Sequence, residues 1–257
     1  MKKRVNILGI KFDDISFREA EAVILKTFRE KSYLSIFTPN PEIALASQND
    51  SSLQTMINSS GLILADGIGI LIASRILGTP LRERVTGIDF GEMILNIANQ
   101  NKLRIFLLGG KEGVAKTAAE RINQKHSDLT ICGTHHGYFK KKGEKNDALV
   151  KEIAAASPDI IFVCFGFPEQ ERWICENCAS IPSLKLSAGL GGALDVWSGN
   201  VRRSPKILQR VGLEWLWRMI IQPKRLRILF HIPIFFAKVF SQKQLLRQKN
   251  YQKDSNF

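Results

Sequence analysis

The chain has 257 residues, 44% of them hydrophobic, and carries a formal net charge of +13. Residues 202–257 hold 13 lysines and arginines against two acids, a net charge of +11, so residues 1–201 carry only +2. A body of about 200 residues suffices for one sizeable core, and the four cysteines include a single CxxC pair, which excludes a zinc site built from two such pairs.

The N-terminal residues do not read as an export signal. Residues 5–10 are mostly apolar, but Lys11 follows directly and no small-residue cleavage site comes after it. Cys132 and Cys164 lie in apolar runs, where a free cysteine behaves as a small hydrophobic residue. We therefore expect the chain to stay in the cytoplasm.

Short apolar runs alternate with helical patterns along the body. Seven of these runs, bounded by turn residues, predict strands at residues 5–12, 35–37, 62–65, 104–108, 129–132, 160–165 and 184–188. Ser16 and Glu19 have capping-box spacing ahead of a helix to about residue 29, and Asn40 and Pro41 suit the cap and first residue of another. The pattern predicts a compact, Rossmann-like α/β fold with a largely parallel sheet and helices on both faces.

Polar or glycine-rich segments follow five of the predicted strands, at residues 38–40, 66–69, 109–113, 166–171 and 189–192. Ligands of parallel α/β folds bind at the carboxyl ends of the strands, so these segments predict one site at that edge. Leu194 stands where GxGxxG would need its third glycine, and Lys111 is not followed by the Ser or Thr of a P-loop. A NAD enzyme and a P-loop ATPase are therefore disfavoured.

Gly109 and Gly110 are the best candidates for holding a diphosphate. Glycines at a strand exit let the backbone approach a phosphate closely, while amides of the next helix point at it. The alternative is that these glycines only make a tight turn from strand to helix. The sequence leaves both interpretations open.

Asp66 is the most informative carboxylate in the chain. It follows a short apolar strand and precedes a glycine, which places it on a loop that a substrate can approach. An aspartate in that position can act as a general base. The alternative is that it caps a helix from residue 68 to residue 77.

The C-terminal segment interleaves large apolar and basic residues. We predict a basic, amphipathic helical appendage at residues 201–247, after a domain at residues 1–200 and before a polar, disordered tip at residues 248–257. The longest apolar run, residues 228–240, falls short of the roughly 20 residues needed to span a bilayer. We expect it to lie on an anionic membrane surface.

Three alternatives for the appendage are weighed against a membrane surface: a transmembrane helix, an ordinary packed terminal helix and a nucleic-acid patch. Phe235, Phe236 and Phe240 add apolar surface that phosphates do not use, so no nucleic-acid partner is expected. An apolar appendage off the membrane could also be hidden in a homo-oligomer contact.

Six ordered motifs together carry a family resemblance. They lie at residues 38–42, 65–69, 84–89, 166–173, 191–199 and 212–218. In this order they resemble the successive motifs of the WecG/TagA/CpsF glycosyltransferases, from about residue 5 to residue 230. A set of ordered motifs is far more specific than any one of them.

The resemblance implies a membrane-associated bacterial glycosyltransferase. Such an enzyme moves a sugar, N-acetylmannosamine in the best-known members, from a UDP-sugar to N-acetylglucosamine on undecaprenyl diphosphate at the inner face of the cell membrane. Members contribute to wall teichoic acid, enterobacterial common antigen or exopolysaccharide. Alternatives are a transferase with a glucose or uronic acid donor, and a non-catalytic protein that binds nucleotide sugars or membrane lipids.

The resemblance also implies roles for residues of the body. Asp66 matches the general base that takes the proton of the acceptor hydroxyl, with inversion at the anomeric carbon. Thr38, Asn40 and Gln170 match polar positions around the sugar pocket, and Arg84 matches a cation near the acceptor or the diphosphate. Gln170 also has a structural interpretation, as the start of a helix.

In the appendage, Arg218 and Arg225 match arginines that reach the leaving diphosphate. A further family arginine would stand where this chain has Ile228, and Arg227, one residue earlier, is a weak substitute because one residue rotates a helical side chain by about 100°. Cations can stabilise the charge on departing UDP, and no DxD-type carboxylate pair is apparent. We therefore predict a metal-independent reaction without a cofactor.

The loop around His135 and His136 offers no carboxylate or cysteine partner at metal-ligand spacing, and three lysines follow it. We interpret this lysine run, residues 140–142, as a solvated loop.

Overall fold

The computed structural model describes residues 3–221 and 228–254. Two antiparallel strands, β1 (Arg4–Ile7) and β2 (Ile10–Asp13), form a hairpin at its N-terminal end, so the single strand predicted over residues 5–12 is wrong. Leu8 and Gly9 make the turn with φ of 51° and 90°, and positive φ at both central residues is typical of two-residue hairpin turns. Leu8 is buried although it lies in the turn, and the resulting unbroken apolar run concealed the hairpin.

A parallel sheet forms the centre of the molecule. Its six strands are β3 (Leu34–Phe37), β4 (Leu62–Ile63), β5 (Arg104–Gly109), β6 (Thr130–His135), β7 (Ile160–Cys164) and β8 (Leu186–Gly189). They lie in the order β4-β3-β8-β7-β5-β6, and every neighbouring pair is parallel. The predicted α/β fold class with a largely parallel sheet is confirmed.

Helices cover both faces of this sheet. They are α1 (Phe17–Glu30), α2 (Pro41–Ser47), α3 (Ser51–Asn58), α4 (Ile68–Ile76), α5 (Gly87–Gln100), α6 (Val114–Lys125), α7 (Glu144–Ala156), α8 (Glu169–Asn177) and α9 (Ala193–Trp197). One core cluster joins α1, α5, α6 and α9 to one face, and a second joins the hairpin, α2, α3, α4, α7 and α8 to the other. Every residue of β7 is buried, which explains why its sequence is a continuous apolar run.

Two helix starts predicted from the sequence are confirmed. Ser16 and Glu19 form a complete capping box at the start of α1. The Asn40 side chain accepts a hydrogen bond from the Ile43 N–H at 3.0 Å, and Pro41 is the first residue of α2. This cap fixes the short segment that leads out of β3 at the carboxyl edge of the sheet.

At two places in the sheet the chain leaves neighbouring strands toward opposite faces. The connection from β5 to β6 passes through α6 on one face, whereas the connection from β7 to β8 passes through α8 on the other. Because β5 and β7 are neighbours, the loops that follow them diverge and leave a crevice at the carboxyl edge. The same divergence separates the exits of β3 and β8, which lead to α2 and α9.

Three helices follow the body: α10 (Lys206–Arg210), α11 (Glu214–Ile221) and α12 (Ile228–Asp254). α12 continues past residue 248, where the sequence predicted a polar tip. It packs on the body through Phe235 and Val239, which are buried in the second cluster. The Gln242 side chain accepts a hydrogen bond from the Leu8 N–H and donates one to the Asn6 carbonyl, both at 2.9 Å. Among the helices that the structure describes, none is long and apolar enough to cross a membrane.

Candidate active site

A cleft of about 1360 Å³ opens at the carboxyl edge of the sheet, above the diverging exits of β5 and β7. Segments that follow β5, β6, β7 and β8 line it. Its charged lining residues are Lys111, Lys140, Lys141, Lys145, Glu152, Glu169 and Asp195. Lysines outnumber acids in this lining, which favours an anionic ligand.

Gly109 and Gly110 lie where β5 ends at the carboxyl edge of the sheet, with φ of 145° and 68°. A methyl group on Gly109 would lie 2.4 Å from the Cys164 carbonyl oxygen of the neighbouring strand, so no side chain fits there. The Gly110 N–H donates to that same carbonyl at 3.2 Å, and the Gly110 carbonyl accepts from the Gly137 N–H at 2.8 Å. These contacts favour the tight-turn interpretation, and the diphosphate role stays a prediction.

The carboxylate of Asp66 and the hydroxyl of Thr38 converge beside the first residue of α5. A methyl group on Gly87 would lie 3.2 Å from Thr38 Oγ1 and 4.0 Å from Asp66 Oδ2. The N-terminus of a helix favours negative charge next to it. α4 begins at Ile68 with Gly67 as its N-cap residue, so Asp66 is not the N-cap residue of that helix.

The backbone around Asp66 is fixed by two neighbouring segments. Its N–H donates to the Pro39 carbonyl at 3.2 Å, and the Ala65 carbonyl accepts from the Val85 N–H at 3.0 Å. The loops after β3 and β4 and the segment that enters α5 therefore form one unit at the carboxyl edge. This unit holds Thr38 and Asp66 in place.

Asn40 and Arg84 lie at the margins of this unit. The side-chain oxygen of Asn40 serves as the cap of α2. Arg84 points toward the appendage, where its Nη2 donates to the Gln209 carbonyl at 2.6 Å. Arg84 therefore joins the body to α10, and its predicted contact with acceptor or diphosphate would be made at that junction.

Gln170 lies at the start of α8, as its structural interpretation predicted, and its side chain is buried. Its Oε1 accepts hydrogen bonds from the Gly166 N–H at 3.3 Å and from the Gly191 N–H at 2.9 Å. The side chain thus ties the exit of β7 to the exit of β8. In this arrangement Gln170 positions two loops that line the cleft.

Glu171 is the partner of Gln170 and the most unusual acid of the body. Gln170 Nε2 donates to its Oε1 at 2.8 Å, while Oε2 is buried and has no hydrogen-bond partner among the residues that the structure describes. Burial raises the pKa of Glu171 to about 7, against a smaller opposing effect of the Gln170 hydrogen bond. This carboxyl therefore titrates near neutral pH.

The loop between β6 and α7 also lines the cleft, a position that was not predicted from its sequence. His135, His136, Tyr138 and Lys141 all contribute to the lining. Lys141 belongs to the run interpreted as a solvated loop, but burial lowers the pKa of its ammonium below the ordinary lysine range. The interleaved aromatic residues of this loop were the signal that could have identified it.

The predicted arginines of the appendage fall largely outside the described part of the chain. Arg218 lies on α11, but its side chain is not among those described, and Arg225 and Arg227 lie in the undescribed residues 222–227. Ile228 is the first residue of α12. The predicted contacts of Arg218, Arg225 and Arg227 with a diphosphate therefore stay predictions.

A chain of charged side chains ties the appendage to the start of α5. The Thr86 hydroxyl donates to Asp89 Oδ2 at 2.6 Å, and Arg203 Nη2 donates to Asp89 Oδ1. The Nε atom of Arg203 lies 3.8 Å from Glu214 Oε1 at the start of α11. The entry to α11, which carries Arg218, is thus positioned relative to the Asp66 unit.

The appendage exposes large apolar side chains. Exposed examples are Ile207, Val211, Ile220, Leu229, Phe230, Ile234, Phe240, Leu245 and Leu246. Phe235, expected to add apolar surface, is instead 1% exposed, because this side of α12 packs on the body. One side of α12 therefore packs on the body while the other exposes apolar residues, and contact of that exposed side with a membrane stays a prediction.

Within residues 3–221 and 228–254, no three His, Cys, Asp or Glu side chains come together in a group that could hold a metal ion. The cysteines described there are all free thiols, and burial raises the pKa of both Cys175, to about 11, and Cys178. The absence of a metal or cofactor in the reaction stays a prediction.

Comparisons with known proteins identify related enzymes. Three relatives carry the name N-acetylglucosaminyldiphosphoundecaprenol N-acetyl-beta-D-mannosaminyltransferase. One, from Bacillus subtilis (strain 168), is 36% identical over 84% of this chain and 85% of its own length. A second, from Staphylococcus aureus (strain MRSA252), is 34% identical over 95% of both proteins. A third, from Bacillus spizizenii, is 32% identical over 93% of both proteins.

The profile of the glycosyl transferase family WecG/TagA/CpsF matches residues 5–250, which include the sheet, the cleft and most of the appendage. The match over nearly the whole chain, together with relatives above 30% identity, confirms the resemblance carried by the sequence motifs. This chain therefore belongs to the WecG/TagA/CpsF family and is a glycosyltransferase.

Proposed function

We propose that this chain transfers N-acetylmannosamine from a UDP-sugar to N-acetylglucosamine carried on undecaprenyl diphosphate. The observation that carries the proposal is the convergence of Asp66 and Thr38 beside the start of α5, at the same carboxyl edge of the sheet that carries the cleft. The names of the relatives support the sugar and the lipid-linked acceptor. The product belongs to the synthesis of a cell-surface polymer such as wall teichoic acid.

Asp66 acts as the general base in this proposal. Its carboxylate takes the proton from the acceptor hydroxyl while the hydroxyl oxygen bonds to the anomeric carbon of the donor sugar. The bond between that carbon and the diphosphate oxygen breaks, UDP departs with the electron pair, and the configuration inverts. Thr38 lies close enough to Asp66 to orient one of the reacting sugars.

The departing diphosphate needs positive charge around it. Lys111, Lys140 and Lys145, which line the cleft, supply part of this charge. Arg84 supplies more of it at the junction between body and α10, and the predicted contributions of Arg218, Arg225 and Arg227 add to it. With cations in this number the reaction proceeds without a metal ion.

The appendage brings the site to its lipid-linked substrate. Exposed apolar side chains on α10, α11 and α12 enter the interface of an anionic membrane, and the basic residues among them add electrostatic attraction of roughly 1 kcal/mol each. We propose that the enzyme binds peripherally to the inner face of the cell membrane, where such acceptors are exposed.

The test is a transfer assay with a synthetic lipid-diphosphate-linked N-acetylglucosamine acceptor and a panel of UDP-sugars, in the presence of EDTA. We expect a mass increase of one N-acetylhexosamine on the acceptor with UDP-N-acetylmannosamine. An increase with UDP-glucose or a UDP-uronic acid alone would replace the donor. No product with any donor, from protein that binds UDP and anionic vesicles, would contradict the proposed reaction.

A further inference from the structure

The ammonium group of Lys141 lies between two aromatic rings at the wall of the cleft. Its Nζ atom is 3.9 Å from the centroid of the Phe139 ring and 4.3 Å from the centroid of the Phe165 ring. Phe139 belongs to the loop after β6, and Phe165 directly follows β7. A single cation therefore bridges the two loops through its contacts with both ring faces.

The hydrogen-bonding capacity of the same ammonium is used by these loops as well. Nζ donates to the Gly137 carbonyl and, at 3.1 Å, to the Phe139 carbonyl. It also lies 4.0 Å from Glu169 Oε2 at the start of α8. Two of the three protons of the ammonium are therefore donated to backbone carbonyl oxygens, and the Glu169 carboxylate lies within ion-pair distance.

Gly137 extends this connection to a third strand exit. Its N–H donates to the Gly110 carbonyl at 2.8 Å, directly beyond β5. The segments that follow β5, β6 and β7 are therefore joined at the point where their chains diverge, with Lys141 as the cation that the last two share. These segments line most of the cleft.

The loop that Lys141 contacts forms the outer rim of the cleft, residues 135–141. The Tyr138 N–H donates to His136 Nδ1 at 3.1 Å, and the rings of His135 and His136 stack with their centroids 4.5 Å apart. The Tyr138 side chain lines the cleft and is 73% exposed. A rim that is already ordered spares a ligand the entropy loss of ordering it.

We propose that Lys141 is a positioning residue for the donor: it holds the rim formed by residues 135–141 in its binding conformation without itself binding the donor phosphates. This inference rests on the proposed function, in which the cleft takes the UDP-sugar. The contacts of the ammonium with two rings and two carbonyl oxygens agree with a cation engaged by the protein rather than by solvent.

Three variants and a matched control test this role. Lys141→Met keeps the length of the side chain and removes the charge, and we expect the KM for the UDP-sugar and the Kd for UDP to rise about tenfold. We expect kcat at saturating donor and the KM for the acceptor to stay within about twofold. Lys141→Arg keeps the charge and stacks on aromatic rings, so it should restore the donor KM to within about twofold of the wild-type value.

The control is Lys142→Met, which removes the same charge from the exposed next residue and should leave all four constants unchanged. Phe139→Leu removes one ring without touching the charge and should raise the donor KM severalfold. This variant decides the question if Lys141→Met does not fold.

The outcomes separate this inference from the proposed function. An unchanged donor KM in folded Lys141→Met, or an equal rise in folded Lys141→Arg, would overturn the positioning role while leaving the transferase intact. A fall in kcat with donor KM unchanged would also overturn it. Failure of the wild-type protein to use or bind any UDP-linked donor would overturn the proposed function, and this inference with it.

Discussion

The body and the appendage use apolar residues in opposite ways. In the body, every residue of β7 and nearly every large apolar side chain of α5 is buried in a core cluster. In the appendage, α10 has no buried residue, and Phe230 on α12 is 75% exposed. Apolar residues in the body stabilise the fold, whereas those in the appendage are available to another surface.

α12 shows both uses in a single helix. Phe235 and Val239 are buried against the body, and Gln242 hydrogen-bonds the hairpin turn. Phe230 and Phe240 are exposed on the same helix. Anchoring and membrane contact can therefore be separated by mutating phenylalanines that are only a few residues apart.

The largest effect on stability is expected from Phe235→Ala. Truncation of a fully buried phenylalanine leaves a cavity and costs about 3–5 kcal/mol. Urea unfolding should show a loss of this size, measured as the change in the free energy of unfolding. A loss below about 1 kcal/mol would contradict the packing of α12 on the body.

A smaller, pH-dependent effect is expected from Glu171→Gln, which tests the body alone. The folded-state pKa of Glu171, about 7, lies above its ordinary value of 4.5, so its protonated form is favoured by folding. Its contribution to stability is present below pH 4.5 and is lost as the pH rises through 7, a loss of up to about 3 kcal/mol.

The variant cannot ionise at this position. The difference between its free energy of unfolding and that of the wild-type protein should therefore favour the variant more at pH 8 than at pH 5. Urea unfolding of both proteins at the two pH values measures this difference. An identical difference in unfolding free energy at both pH values would show that Glu171 does not titrate in this range.

The smallest effect is expected from Phe240→Ala, the counterpart of Phe235→Ala on the exposed side. This side chain is 52% exposed, so its removal should change the free energy of unfolding by less than about 0.5 kcal/mol. Loss of its apolar surface should weaken binding to anionic vesicles about fivefold. Unchanged vesicle binding, measured by co-sedimentation, would exclude this side of α12 from the membrane contact.

Much of the body could be predicted from sequence because its signals are local. Continuous apolar runs gave the parallel strands, and the caps at Ser16 and Asn40 gave two helix starts. Parallel strands bring their exits to one edge, so Thr38 and Asp66 could be expected near each other before the structure was known. The ordered motifs then identified the family.

What the sequence did not predict depends on contacts between distant segments. The role of Gln170 in joining two glycine amides and the burial of Lys141 between Phe139 and Phe165 need three loops in place at once. The burial of Phe235 requires the surface of the body against which α12 packs. Composition alone made Lys141 look solvated and Phe235 look membrane-facing.

The central claim, that Asp66 is the base of the transfer, is tested most directly by Asp66→Asn. With UDP-N-acetylmannosamine and the lipid-linked acceptor, we expect kcat to fall about 1000-fold, while the Kd for UDP stays within about twofold. Asp128→Asn, the same change at an exposed position, should leave both values unchanged. A kcat for Asp66→Asn within tenfold of the wild-type value would contradict the assignment.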